Sequence, residues 1–292
     1  MRFLTTVAGI VATAITMSGC AERLLFSPTR QATPAPTFLV PDAEAFWFAS
    51  GDGTRLRGWL LPAQTGDARN APTVFHVHGN AASMNEHLYF VSELPAAGFN
   101  VFMFDYRGYG ESESAATSRE ELLDDATTAL RTLRARADID SARIAVFAQS
   151  LGAAIAIVLV QEDLARIDSD APRLRGVGLE SPVASFRDVA ANAVGGDPPN
   201  FIGASLAACL IRDGCERMPR PVDAIRTIDL PIFIVHGDAD TTVPVSHGRR
   251  LADAAPDAEL LICPGGKHNS LQETHPDSRT RMIAFLRAVT TL

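Results

Sequence analysis

The stretch Ala148-Gln149-Ser150-Leu151-Gly152 places a hydroxyl between small residues. It lies where an apolar strand-forming run, Ile144 to Phe147, gives way to an apolar helical run over 150–161. A serine held on a sharp strand-to-helix turn is a nucleophile elbow. The turn needs small side chains two residues before and two after the serine. Ala148 and Gly152 supply them, with Ala standing where Gly is usual. The plainer reading of Ser150 is a helix N-cap. A serine hydroxyl attacks well only when a base takes its proton and a third group orients that base. Two downstream loops carry the candidates. His236-Gly237-Asp238-Ala239-Asp240-Thr241-Thr242-Val243-Pro244 follows one apolar run, and Cys263-Pro264-Gly265-Gly266-Lys267-His268 follows another. His268 is the candidate base. Asp240, Asp238 and Glu180, the last just beyond a run ending at Leu179, are candidate acids. Such residues would perform acyl transfer: attack on a carbonyl, proton relay through imidazole, and release through an acyl-enzyme.

Groups so far apart in sequence need a scaffold that gathers loops. Runs at 45–49 and 56–61 flank Ser50-Gly51-Asp52-Gly53, a hairpin signal. Further strand-like runs fall at 73–77, 99–104, 143–148, 174–179, 232–235 and 259–263. Helical patterns fall at 85–97, 119–136, 150–161, 246–255 and 269–289. On 119–136, Leu122, Leu123, Ala126, Ala129, Leu130 and Leu133 form one apolar face. Alternation of this kind predicts an α/β fold: a mostly parallel sheet of about eight strands with helices on both faces. Loops at the carboxyl ends of such strands share one rim, where ligands bind. The segment 190–221 breaks the pattern with Gly195-Gly196 and Pro198-Pro199, and is expected to form a small cap over that rim.

Six stretches, in this order, carry a family resemblance. They are Asp52 to Trp59, His78-Gly79-Asn80-Ala81, Asp105-Tyr106-Arg107-Gly108-Tyr109-Gly110 and the Ser150 elbow with Leu179-Glu180-Ser181-Pro182. The His236 to Pro244 loop and Gly266-Lys267-His268 complete them. Together they resemble the α/β-hydrolase superfamily, in the branch of serine-aminopeptidase-type hydrolases with a His-Gly-Asn-Ala loop. The resemblance covers Ser50 to the C-terminus and implies the α/β-hydrolase fold. It implies Ser150 as nucleophile, His268 as base and Asp240 as orienting acid, with Asp238 and Glu180 as alternative acids. It also implies an oxyanion hole from the backbone of Leu151 and of Asn80, or Ala81 in its place. Members include esterases and thioesterases. The expected activity is therefore serine hydrolysis of carboxylic esters or thioesters. A serine peptidase of the same fold and a non-catalytic envelope binding protein are the rival readings. Aspartate at the elbow would have suggested a dehalogenase or epoxide hydrolase, and Ser150 argues against both.

The amino-terminal end has its own logic. Arg2, the apolar run 3–17 and Ser18-Gly19-Cys20 read as a secretory signal ending in a sequence that resembles the bacterial lipobox. The expected organisation is a lipoprotein signal peptide at 1–19, a lipidated Cys20 with a Pro-rich tether to 43, and a hydrolase domain at 44–292 containing the cap. Ala21 is not the aspartate that would signal inner-membrane retention, so a lipid anchor on the periplasmic side of an outer membrane is favoured. Leu24-Leu25-Phe26 could alternatively pack on the domain. Cys209 and Cys215 are spaced for a disulfide that an oxidising compartment would permit, and Cys263 reads as a buried core thiol.

A net charge of −8 gives no basic footprint for nucleic acid. No dinucleotide or phosphate-loop pattern and no metal-ligand spacing is present, so neither cofactor nor metal is expected. The substrate is expected to be a small molecule or an acyl group, and nothing in the chain signals an oligomeric state. His76 and His236 read as core histidines, His87 and His247 as surface residues on helices. Asp105 and Arg107 read as a structural network beside the turn glycines Gly108 and Gly110.

Overall fold

The computed structural model describes residues 26–115, 118–166, 172–195 and 218–291, with side chains of the third stretch described to Asn192. The signal peptide, Cys20, the Cys209–Cys215 pair and most of the expected cap lie outside the described residues.

Eight strands form one sheet in the order β1-β2-β4-β3-β5-β6-β7-β8. They are β1 (Glu44–Ala49), β2 (Arg55–Leu61), β3 (Thr73–Val77), β4 (Asn100–Phe104), β5 (Ile144–Gln149), β6 (Val177–Glu180), β7 (Ile232–Gly237) and β8 (Ala258–Cys263). β1 and β2 form the expected antiparallel hairpin, and β2 also pairs antiparallel with β4. All remaining pairs are parallel.

The helices are α1 (Met84–Val91), α2 (Arg119–Arg134), α3 (Leu151–Arg166), α4 (Phe186–Gly195), α5 (Pro221–Ala224), α6 (Ser246–Ala254), α7 (Leu271–Thr274) and α8 (Pro276–Thr291). Successive strand residues point to opposite faces, which divides the core in two. Phe75, Val77, Val146, Ala148 and Ile234 meet α2, α3 and α6 on one side. Val74, Ala145, Phe147, Phe233 and Val235 meet α1 and α8 on the other.

Two helices are shorter than their patterns. The run expected over 85–97 ends at Val91, because the ring of Pro95 collides with a carbonyl four residues back and removes a donor. The run expected over 269–289 is two helices, and Pro276 opens the second. α1 and α2 both start at capping boxes, Ser83 with Glu86 and Ser118 with Glu121.

The register explains how distant residues converge. Val77 pairs with Ala148, Gln149 with Glu180, Glu180 with Val235 and Gly237 with Cys263. The parallel strands therefore end nearly level, and the residues following them share one rim. Strand order reverses across β3 and β5, which makes the crevice between their carboxyl ends the topological switch point.

Candidate active site

Ser150 stands on that crevice with φ of 54°, left-handed for a non-glycine residue. Such a conformation costs about 1–3 kcal/mol and needs support. Its N–H donates to the Glu180 carbonyl at 3.0 Å, and its own carbonyl accepts from Ala153 N at 3.1 Å. Gly152 is forced: a Cβ there would sit 2.2 Å from the Val77 carbonyl oxygen and 2.3 Å from that of His78. The turn thus brings the start of α3 against the end of β3. Leu151 is the first residue of α3, so its N–H has no intrahelical acceptor and the positive end of the helix dipole faces the crevice.

The loop after β8 brings His268 over the serine. His268 Nε2 is 2.9 Å from Ser150 Oγ, and its Nδ1 is 2.6 Å from Asp240 Oδ2. The Asp240 side chain is fully buried. Burial alone would raise its pKa. Hydrogen bonds from His236 and His268 and the Val243 backbone N–H outweigh that and hold the carboxyl well below the usual carboxylate range. The other oxygen, Oδ1, accepts from Thr242 N at 2.9 Å and Val243 N at 2.8 Å. His236, buried in β7, donates from Nε2 to the Val243 carbonyl at 2.8 Å and lies 3.5 Å from Asp240 Oδ2. An ionised acid, an oriented imidazole and a hydroxyl therefore stand in line. That arrangement can deprotonate the hydroxyl as it attacks and return the proton to a leaving group.

The alternative acids are occupied elsewhere. Asp238 Oδ1 accepts from Gly265 N at 2.6 Å, tying the β7 and β8 loops together. Glu180 is buried, its pKa pushed up to about 7 by burial and only partly countered by Arg279. Its backbone supports the elbow, while its side chain has an oxygen without a hydrogen-bond partner.

The His78-Gly79-Asn80-Ala81 loop closes the other side. His78 donates from Nδ1 to the Gly79 carbonyl at 2.8 Å, and His87 Nε2 accepts from Gly79 N at 3.3 Å. Burial holds the His78 pKa down to about 4 and that of His87 well below the ordinary value, so both rings are neutral at physiological pH. Asn80 Oδ1 accepts from the Tyr109 hydroxyl at 2.7 Å and Ser27 N at 3.0 Å. Ala81 is left-handed, with φ of 61°. A pocket of 410 Å³ opens above Ser150, bounded by Asn80, Ala81, Tyr89, Phe90, Thr242 and His268 among the described residues.

Two expectations need correction. His87 and His247 are buried, not on the surface. His87 stacks on Phe90 at 4.9 Å between ring centroids, and His247 Nδ1 accepts from Ala184 N at 3.1 Å. His76 and His236 are core residues as expected, but the ring nitrogens of His76 and Nδ1 of His236 lack well-formed partners. Cys263 is a buried free thiol whose pKa burial pushes up. Asp105 and Arg107 support structure. Asp105 accepts from Met84 N at 2.7 Å and excludes any Cβ at Gly110, whereas Arg107 grips buried Asp125 through Nε at 3.0 Å and Nη2 at 2.7 Å. The amide pair Gln149 Nε2 to Asn269 Oδ1, 3.2 Å apart, was not anticipated. Its signal was adjacency, since each residue neighbours a member of the Ser150–His268 pair.

No group of histidine, cysteine, aspartate and glutamate among the described residues could hold a metal. No described helix is long and apolar enough to cross a membrane.

Comparison with known proteins agrees with this architecture. The family model described as "Serine aminopeptidase, S33" matches residues 68–194. The Escherichia coli K12 protein YfhR is 34% identical over 248 residues, covering 84% of this chain and 80% of the relative. The alpha/beta hydrolase domain-containing protein WAV2 of Arabidopsis thaliana is 32% identical over 246 residues, 81% of this chain and 75% of its own. Among solved structures, a Pyrococcus furiosus esterase superposes with a TM-score of 0.70 at 20% identity, over 91% of this chain and 98% of that one.

Proposed function

Because the chain belongs to the α/β-hydrolase superfamily, we propose that it is a serine hydrolase cleaving carboxylic ester or thioester bonds through an acyl-enzyme on Ser150. The observation that carries this reading is the continuous hydrogen-bonded line from Ser150 Oγ through His268 to Asp240, at 2.9 and 2.6 Å. His268 takes the serine proton as the hydroxyl attacks. Asp240, held ionised by hydrogen bonds from His236, His268 and the Val243 backbone N–H, fixes the tautomer and stabilises the imidazolium. Backbone N–H groups of Leu151 and Asn80 receive the oxyanion, each such donor contributing about 3–4 kcal/mol to the transition state. The proton then passes to the leaving alcohol or thiol, and a water repeats the sequence to free the acid.

The strained φ of Ser150 and the close approach enforced at Gly152 support a working elbow. A degenerate binding protein would have no reason to keep that strain, which favours catalysis over a scaffold role. Envelope anchoring through Cys20 and the signal sequence before it belong to the same proposal and rest on the sequence pattern alone.

The test is a hydrolysis screen of the full chain in detergent against p-nitrophenyl esters of increasing acyl length and an acyl thioester, with Ser150→Ala and His268→Ala as controls. Turnover abolished in both variants is the expected result. A folded protein that ignores esters and thioesters yet cleaves aminoacyl p-nitroanilides would overturn the ester reading in favour of the peptidase one.

A further inference from the structure

The segment before β1 reads in the sequence as a Pro-rich tether, yet from Phe26 onward it lies on the domain. Phe26 is buried in the core face that also holds α2 and α3. Directly after it the chain crosses the His78–Ala81 loop. Ser27 N–H donates to Asn80 Oδ1 at 3.0 Å, Thr29 Oγ1 donates to the Ala81 carbonyl at 3.1 Å, and the Thr29 carbonyl accepts from Gly110 N at 2.8 Å. The Arg30 guanidinium continues the line to the Ser114 carbonyl.

These bonds fall on the part of the rim with most need of them. Ala81 holds a left-handed backbone without being glycine, a conformation that persists only where surroundings over-determine it. Asn80 Oδ1 has two lone pairs, and Ser27 N–H and the Tyr109 hydroxyl engage both. Its side chain is thereby fixed between the strap and the Tyr109 turn. Asn80 and Ala81 line the same pocket as Ser150, where oxyanion donors act only from a fixed position.

We propose that Ser27 and Thr29 are positioning residues: the strap Phe26–Arg30 clamps the oxyanion loop through the Asn80 side chain and the Ala81 carbonyl, setting the donor geometry for the transition state. The proposal rests on the acyl-transfer reading above. It gives the residues just beyond the signal and anchor region a part in turnover as well as in attachment. Because the bonds act on a loop that binds charge developed during reaction, they bear on kcat more than on KM.

The experiment uses the full chain in detergent, with kcat normalised to the fraction of sites titrated by a fluorophosphonate and with Tm measured alongside. Ser27→Pro deletes the donating N–H, Ser27→Ala keeps it, and Thr29→Val deletes the hydroxyl. The expected result is kcat per titrated site lowered about three- to tenfold in Ser27→Pro and in Thr29→Val, the span of one hydrogen bond. KM stays within about twofold, and Ser27→Ala behaves as wild type. Wild-type kcat per titrated site in both deleting variants overturns the proposal, whatever happens to Tm, because the strap would then only stabilise the fold. Should Ser27→Pro fail to fold, Thr29→Val decides alone. A wild-type protein that neither turns over nor labels refutes the hydrolase reading and this proposal with it. An active wild type with unchanged strap variants refutes the proposal and leaves the hydrolase reading standing.

Discussion

Replacing Asp240 by asparagine changes one atom type and should abolish most activity, for a reason visible in its contacts. Oδ1 accepts two backbone N–H groups, from Thr242 and Val243, and Oδ2 faces His268 Nδ1 at 2.6 Å. An asparagine must keep its carbonyl oxygen toward the two N–H donors. Turning the amide the other way sets NH2 against both, and two unsatisfied buried donors cost about 2–6 kcal/mol. The NH2 is thereby forced toward His268, whose Nδ1 must become an acceptor. The ring proton then moves to Nε2, which faces Ser150 Oγ at 2.9 Å and can no longer receive the serine proton. Loss of the correct tautomer is expected to reduce kcat/KM by about 10⁴, roughly 5.5 kcal/mol. Tm should change little, since the two backbone donors stay satisfied. The assay is ester hydrolysis at pH 7 to 8 with the active fraction counted by fluorophosphonate. A loss below about tenfold, or an equal loss in Glu180→Gln, would refute the assignment of Asp240 as the orienting acid.

Three further outcomes follow from buried groups. Burial raises the Glu180 pKa to about 7, so the folded state holds a proton that the unfolded chain gives up near 4.5. Stability from this group is present below about 4.5 and is lost as pH rises through about 7, by at most about 3 kcal/mol. Glu180→Gln should therefore have a higher Tm than wild type at pH 8 and little advantage at pH 4.5, and a pH-independent difference would contradict this. Gly152→Ala places a methyl 2.2 Å from the Val77 carbonyl oxygen. It should cost about 1–3 kcal/mol in urea unfolding and lower kcat as well, because α3 and the His78–Ala81 loop are pushed apart, and wild-type kinetics would refute the close approach. Arg107→Ala leaves Asp125 buried without its guanidinium partner and should destabilise by about 3–5 kcal/mol, and a loss under about 1 kcal/mol would show the ion pair to be dispensable.

The fold was legible because β3 to β7 are buried along their whole length and read as continuous apolar runs between turn signals. The elbow was legible because steric demand at Ala148 and Gly152 leaves a mark in residue size. The acid was less so: Asp238 and Asp240 share a loop and a chemistry. What separates them is three-dimensional: Asp238 is exposed and meets Gly265 N, whereas Asp240 is buried and meets Thr242 N, Val243 N and His268. His87 reads as a surface residue from its place on a helical stretch, yet Met84, His87, Leu88 and Val91 are all buried at helical spacing along α1, a face their spacing could show. The strap was legible only at its start, where Leu24-Leu25-Phe26 could be read as packing on the domain and Phe26 is buried. Each of its bonds to the His78–Ala81 loop joins one backbone group to one side chain more than 50 positions away, and a backbone partner leaves no pattern in residue type.

The most direct test of the central claim is to identify the residue that a fluorophosphonate modifies, by peptide mass spectrometry of the labelled full-length protein. One phosphonylated site at Ser150 is predicted, absent in Ser150→Ala and slowed severely in His268→Ala. Labelling at another residue, or labelling that survives Ser150→Ala, would contradict it.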